Sequence, residues 1–433
     1  MIATAQPGPG IRARITWPAA RSAARRNAVL KVAPVIAVLV YVWATSSMIS
    51  EGLDGYGLTT SMKAISVLPF IAPICAACAA WEVARLRRGM VYEMTGARSD
   101  IAVTLSRIAP VMVIGLIGLA ESAGLLWRDP LPGSPDLMVF VIGIVVLAGH
   151  VAFGVLLGRV LPAVVATPVA FALSYAWLVY PPALSISWVR HLTGFNDSCC
   201  LSSEQLAPGA VVAPILLAMA VIGAAALVIW MRYHRLALLP AAVLYVAAFV
   251  LAASLVHDLG FDPAEPRAGT MVCASGTPRV CVWPEHAARL REASADAARM
   301  AAILARDGLK VPALATESTV PRARRTWVFG TFARSSAAQL RTTIAVGVVP
   351  LGPPARCSGF GGAWQGGFAE SALQAWLLVR AGLGLRAANE VAATPEIFRG
   401  VRAELRKPAA QQGSWFRANL QIVTSCHRTG VAR

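Results

Sequence analysis

Seven apolar runs, at about 32–49, 64–81, 107–126, 137–158, 162–180, 211–231 and 236–257, decide what this chain can become. Each approaches the roughly 20 residues a helix needs to cross a bilayer. None shows the alternation of a membrane-barrel strand, and an unpaired backbone is too costly in hydrocarbon, so the runs read as helices. Only 14% of the residues are charged and 57% are hydrophobic, against about a quarter charged in soluble domains. Past residue 257 Arg, Glu, Asp and Pro become frequent and no run is long enough to span. The expected fold class is a polytopic α-helical membrane protein of about seven transmembrane helices at 32–257. A basic segment, 1–31, precedes it, and an α+β globular domain, 258–433, follows.

Lys and Arg in the short connections set the expected orientation. Arg12, Arg14, Arg21, Arg25, Arg26 and Lys31 precede the first run. Arg85, Arg87, Arg88, Arg98 and Arg107 lie between the second and third, Arg159 follows the fourth, and Arg232 and Arg235 separate the last two. If the runs alternate, all of these share one side, while the other side has only Lys63, Arg128 and Arg190 in its loops. That places the N-terminus in the cytoplasm and the tail outside. The formal net charge of +17 then reads as loops facing anionic lipid rather than as a nucleic-acid surface. The first run is long and late and lacks a small-x-small site, so it reads as a signal anchor. Residues 10–30 mix Arg with Ile, Trp and Val; an interfacial helix and a disordered basic leader both remain open, since Pro18 interrupts the pattern.

The cysteines give an independent reading. Cys75 and Cys78 lie inside the second run as CAAC, and the other six, Cys199, Cys200, Cys273, Cys281, Cys357 and Cys426, all fall in segments assigned outside. An oxidising compartment would close Cys273 and Cys281 into a small loop; Cys357 and Cys426 are candidates for a second, long-range bridge. Cys199 and Cys200 are adjacent, so pairing elsewhere or free thiols are expected there.

Two connections are long. The first, 82–106, reads EVARLRRGMVYEMTGARSDIAVTLS, with helical spacing to about Glu93, then a turn, then Ser99 or Asp100 as a cap. The second, 181–210, carries Trp188, Val189, Leu192 and Phe195, enough to dip into an interface. A basic N-terminus, two spans, this cytoplasmic loop, four more spans and a long outer loop between the fifth and sixth resemble the permease subunit of an ABC-2 type transporter over roughly 30–235. The resemblance rests on loop order and on Glu82 to Arg107. It implies that the first loop couples to a separate cytoplasmic ATPase through Glu82, Arg85, Arg87, Arg88, Glu93, Arg98 and Asp100. It also implies that the outer loop caps the pathway and that two membrane halves pair as a homo- or heterodimer. The seventh span and the tail depart from the minimal pattern. Through VC-x6-VCVWPEH the tail resembles domains attached to some actinobacterial permease-like proteins.

No chemistry of its own is expected of the chain: it carries no catalytic set, cofactor motif or metal set. It has no GxxxxGK[ST] for ATP and no HExxH for zinc. GFGGAWQGG at 359–367 lacks the following Lys and reads as a turn. Glu285 and His286 precede a helical pattern, where Glu285 would complement the helix dipole. RARR at 322–325 reads as a solvated face. At membrane depth Glu121 and His150 are the notable polar groups; Glu121 near an outer end would reach water, and a neutral His150 would bond to a backbone carbonyl. CAAC reads as small apolar packing. In the tail, helices are predicted near 284–307, 369–386 and 394–407, and strands near 326–333 and 341–349. The leading functional expectation is a non-enzymatic, permease-like exporter subunit whose ATPase coupling Arg87→Glu would abolish. The alternative is a membrane-anchored extracytoplasmic binding or sensing protein.

Overall fold

The computed structural model describes residues 27–46, 55–94, 99–128, 133–194, 199–231, 237–260, 262–318, 326–331, 335–350, 352, 364 and 366–425. The helices of the first part are α1 (Ala28–Ala44), α2 (Gly57–Ile65), α3 (Leu68–Arg88), α4 (Val91–Met94), α5 (Asp100–Leu126), α6 (Leu137–Val160), α7 (Ala163–Val179), α8 (Pro208–Trp230) and α9 (Leu238–Val256). Short 3-10 turns at Pro181–Ala183 and Ser187–Leu192 fill the connection between α7 and α8. Each predicted run holds a helix, but among the described residues six helices, not seven, are long and apolar enough to cross a membrane. The first run is the exception: α1 has 17 residues, short of the roughly 20 a span needs, and 47–54 lie outside the described residues.

α2 and α3 together run 32 residues, Gly57–Arg88, which at 1.5 Å per residue is about 48 Å. That exceeds a hydrocarbon core of about 30 Å, so the Arg-rich end of α3 projects beyond any bilayer that holds its middle. α3 is also the axis of the bundle, packing against α1, α5, α6 and α7, while α8 packs on α6 and α9. Close approach of α3 and α6 depends on small residues. A Cβ on Gly154 would strike the carbonyl oxygen of Ala76, and one on Gly158 that of Ala80. Outward faces of α1, α5, α7 and α9 expose Val38, Val113, Phe171 and Val246. Such an apolar periphery is compatible with a multi-pass membrane protein.

The tail contains β2 (Ala264–Pro266), β3 (Val272–Ala274), β4 (Arg279–Val282), α10 (Leu290–Arg306), β5 (Leu314–Thr316), β6 (Thr326–Val328), α11 (Ala337–Val346), α12 (Gly366–Arg380), α13 (Gly384–Val391), α14 (Pro395–Glu404) and α15 (Ala409–Val423). It has the expected mixture of helices and a small sheet, but its connectivity is more specific. β4, β5 and β6 are parallel, β3 lies antiparallel on the β4 edge, and α10 is the crossover from β4 to β5. β2 pairs instead with β1 (Glu204–Leu206), in the connection before α8. α12 is the buried axis of the tail core, with Leu373, Trp376, Leu377 and Leu378 fully covered. Trp327 on β6 donates its indole N–H to the Ile344 carbonyl at 2.7 Å.

One predicted strand is corrected. Residues 341–349 lie mostly in α11, despite their Thr, Ile and Val. Ser336 and Gln339 form a reciprocal capping box at its start, and Leu340, Ile344 and Ala345 share one buried face. Predicted 369–386 is split into α12 and α13 by Gly382 and Gly384, both at positive φ.

Candidate functional site

The loop after α3 is an elbow whose charged residues divide into two groups. The first group holds helix ends. Glu82 is buried, and its carboxylate accepts the Ala28 backbone N–H at 2.9 Å, a negative group at the positive end of α1. Asn27 caps the same end by accepting the Val29 N–H at 3.1 Å, and its amide donates to the Arg107 carbonyl at 2.9 Å. Arg87 donates to the carbonyls of Arg159, Val160 and Leu161 at 2.8, 2.9 and 2.8 Å, satisfying groups that the end of α6 leaves open. Arg159 pairs with Asp100 at 3.5 Å and lies 3.7 Å over the Tyr92 ring. The Tyr92 hydroxyl is 3.0 Å from Thr104 Oγ1. Burial pushes the Tyr92 phenol up, outweighing Thr104 and the Arg159 charge, so it stays neutral. Ser99 is the cap of α5, accepting the Ala102 N–H at 3.2 Å.

The second group faces out. Arg85, Arg88, Met90 and Glu93 are exposed, and Met90 sits at φ 49° where the chain turns from α3 into α4. Arg98 lies outside the described residues. Arg87 therefore belongs with the structural group, and reversing its charge would damage α6 as well as any docking surface.

At membrane depth His150 meets a side-chain hydroxyl rather than a backbone carbonyl. Glu121 is partly exposed, just over a turn from the end of α5. His150 is buried with Nδ1 3.0 Å from Ser174 Oγ, a tie between α6 and α7. Cys75 and Cys78 are buried and unbridged, with Cys75 Sγ 3.8 Å from the Val111 carbonyl.

At the opposite end of the bundle the tail is fastened. β1 pairs with β2, and Gln205 donates to Glu265 at 2.8 Å. Arg267 follows. Its backbone N–H donates to the Ser203 carbonyl at 2.9 Å and its guanidinium to that of Ser202 at 3.1 Å. The fork grips both oxygens of Glu285, at 2.6 and 3.3 Å, and stacks 4.1 Å from the Tyr56 ring and 4.7 Å from Trp283. Burial pushes the Glu285 carboxyl up, but the Arg267 hydrogen bonds, a backbone N–H and the neighbouring charges together hold it below the ordinary glutamate value. Glu285 does lie at a helical start, as predicted, yet its main partner is Arg267. The adjacent His286 is buried with Nδ1 3.0 Å from Glu317 Oε2, which also accepts the Trp283 N–H at 2.8 Å. These groups sit past the carboxyl ends of β4 and β5, where α/β sheets commonly place ligands. No set of three or more metal-ligating side chains occurs among the described residues.

Cys273 and Cys281 face each other across β3 and β4 with Cα atoms 4.1 Å apart, and are bridged. In the purified protein both should resist a maleimide until a reductant is added; labelling without reductant would remove the bridge. Cys357 and Cys426 lie outside the described residues. Cys199 and Cys200 are buried against the bundle core, with the Cys200 carbonyl accepting from Thr59 Oγ1 at 2.6 Å.

Residues 280–426 match a family model, Domain of unknown function (DUF7224). The matched segment begins in β4 and takes in Glu285, His286, Glu317 and α10–α15; it leaves out the helical bundle and Arg267. No curated protein and no solved structure matches the chain.

Asn27, Tyr92, Arg267 and Glu317 were not singled out by sequence, and Arg159 was read only for orientation. Most of their partners lie between 18 and 80 positions away, so no local spacing marks them. Gly154 and Gly158 did carry a signal, a G-x-x-x-G within an apolar run.

Proposed function

We propose that the chain is a permease-like subunit of an ABC-2 type exporter, with the elbow end of the bundle in the cytoplasm and the tail outside, driven by a separate ATPase. The observation that carries this reading is the elbow itself. Its inner residues are spent on the ends of α1 and α6 and on the Arg159–Asp100 pair, which fixes its shape. Its outer residues, Arg88, Met90 and Glu93, are exposed, while the exposed Arg85 reaches back to Glu82 at 3.4 Å. A docking surface needs that combination of rigid support and unspent side chains. A push on such an elbow reaches α1, α3, α5 and α6 together, as alternating access requires. The sequence has no GxxxxGK[ST], so in this reading the ATPase is a partner, and two membrane halves would assemble around it.

Arg88 makes no ion pair or hydrogen bond among the described residues, so it is the residue to reverse. Arg88→Glu should abolish co-purification of the ATPase that accompanies the wild-type chain in its native host, with thermal unfolding unchanged. Undiminished co-purification would sink the reading. Orientation has its own test. In intact cells Cys273 and Cys281 should label only after an impermeant reductant; labelling that needs permeabilised cells would put the tail inside.

A second reading, a membrane-anchored extracytoplasmic binding or sensing protein, is favoured by a different observation. His286 and Glu317 meet at the carboxyl edge of the parallel strands, where a ligand would be sensed. It expects no ATPase partner at all.

A further inference from the structure

A groove of about 940 Å³ runs along one flank of the bundle, walled by α7 and α9 and floored by α6 and α8. It follows α8 from Pro214 to Val228, a length of about 21 Å. Its lining is aliphatic and aromatic, including Phe153, Trp177 and Tyr245, and it contains few polar groups. His150 is one of them. The ring is only 8% exposed, lines the groove, and uses Nδ1 on Ser174. Its Nε2 has no partner among the described residues. Nε2 is thus the hydrogen-bonding position that the ring has left for a molecule in the groove, where few other polar atoms compete. Sites for small molecules have this build, about 300–1,000 Å³, mostly apolar, with a few placed hydrogen-bonding groups. The flanking helices turn apolar faces outward, Phe171 and Tyr175 on α7 and Val243 and Val246 on α9, so an occupant that arrives sideways comes from lipid.

We propose that this groove binds a membrane amphiphile: its hydrocarbon chain lies along α8, and one oxygen of the molecule, a hydroxyl or an ester carbonyl, hydrogen-bonds to His150 Nε2. Binding rests only on the bundle being embedded in a membrane. That the amphiphile is cargo rests in addition on the exporter reading.

The test uses the full chain in nanodiscs of phosphatidylglycerol and phosphatidylcholine containing a phosphatidylcholine with a diazirine in one acyl chain. After irradiation and digestion, adducts should concentrate on the groove faces of α6, α7, α8 and α9. Ala242 is exposed and lines the groove, so Ala242→Trp should fill it without touching the core and abolish those adducts. Adducts on the outer face of α5 should not change. His150→Phe should lower groove labelling by about tenfold, the worth of one hydrogen bond to a buried group. Even labelling of every outward face, unmoved by Ala242→Trp, would overturn the proposal and leave ordinary surrounding lipid. Absence of groove adducts together with copy-to-copy crosslinking through Ala242→Cys would overturn it in favour of a second subunit. Because no ATPase is present, Arg88→Glu should label like wild type. Loss of the ATPase partnership would withdraw the cargo role and leave the binding site standing.

Discussion

Gly154→Val should leave no folded, monodisperse protein in detergent. Gly154 and Gly158 lie one turn apart on α6, against Ala76 and Ala80 one turn apart on α3. This is small-xxx-small packing from both sides, the arrangement by which helices approach closely without a hydrophobic driving force between them. At Gly154 the first atom a Cβ would meet is a carbonyl oxygen, not the tip of a side chain. A side chain can turn away; the backbone of α3 can yield only by moving the helix. α3 is the most buried of the candidate spans, so moving it disturbs α1, α5 and α7 as well. Overpacking against side chains costs about 1–3 kcal/mol, and a clash with backbone should exceed that range. Against a total stability of about 5–15 kcal/mol, the change threatens the whole bundle. Size-exclusion profiles and thermal unfolding would read it. Gly124→Val is the matched control, since a Cβ there meets nothing within 4 Å, and it should behave as wild type. A normal Gly154→Val protein would mean that α3 and α6 do not pack as described.

That helix pair also shows what was legible in the chain. The seven apolar runs locate the long helices because span length and unbroken apolarity are properties of contiguous residues. The cross-strand cysteines were legible for a similar reason, since eight positions separate them. Of the tail sheet only β6 was legible, inside the strand predicted near 326–333. The strands are three or four residues long, too short for alternation to register, and the parallel pairing of β4 with β5 depends on the α10 crossover. At 341–349 β-branched residues suggested a strand, but Ser336 and Gln339 had already marked a helix start. At the elbow, types and positions were readable and roles were not. Glu82 and Arg87 look like docking charges until their partners, Ala28 and the end of α6, are seen to come from 54 and more than 70 residues away.

Arg267→Ala should release the tail from the bundle while leaving the tail folded. The tail core is built from α10–α15 and the β4–β6 sheet and does not include Arg267. What Arg267 supplies is the joint: the fork on Glu285, the bond to Ser202 and the stack between Tyr56 and Trp283. Removing it strands a carboxylate that is only 23% exposed. Breaking a charge-assisted contact of this kind costs about 1.5–3 kcal/mol, somewhat less than the removal of one partner from a fully buried pair. Amide exchange across β1 and β2 should quicken by on the order of tenfold to a hundredfold, and protease should gain access near 258–270. Exchange within α12 should not move. Arg267→Lys should fall between, keeping the charge but losing the two-pronged grip. The same joint carries a pH signature. Glu285 is held below its ordinary value of 4.5 in the folded chain. Its contribution is therefore fully present above 4.5 and is lost as pH falls through the lower, folded value. Wild-type exchange at β1 and β2 should rise on acidification below about 4.5, the ordinary carboxyl range, and Arg267→Ala should lack that step. If both proteins open alike in acid, the strand pairing alone holds the tail, and a movement of the outer loop would reach the tail through two short strands and not through the Arg267–Glu285 pair.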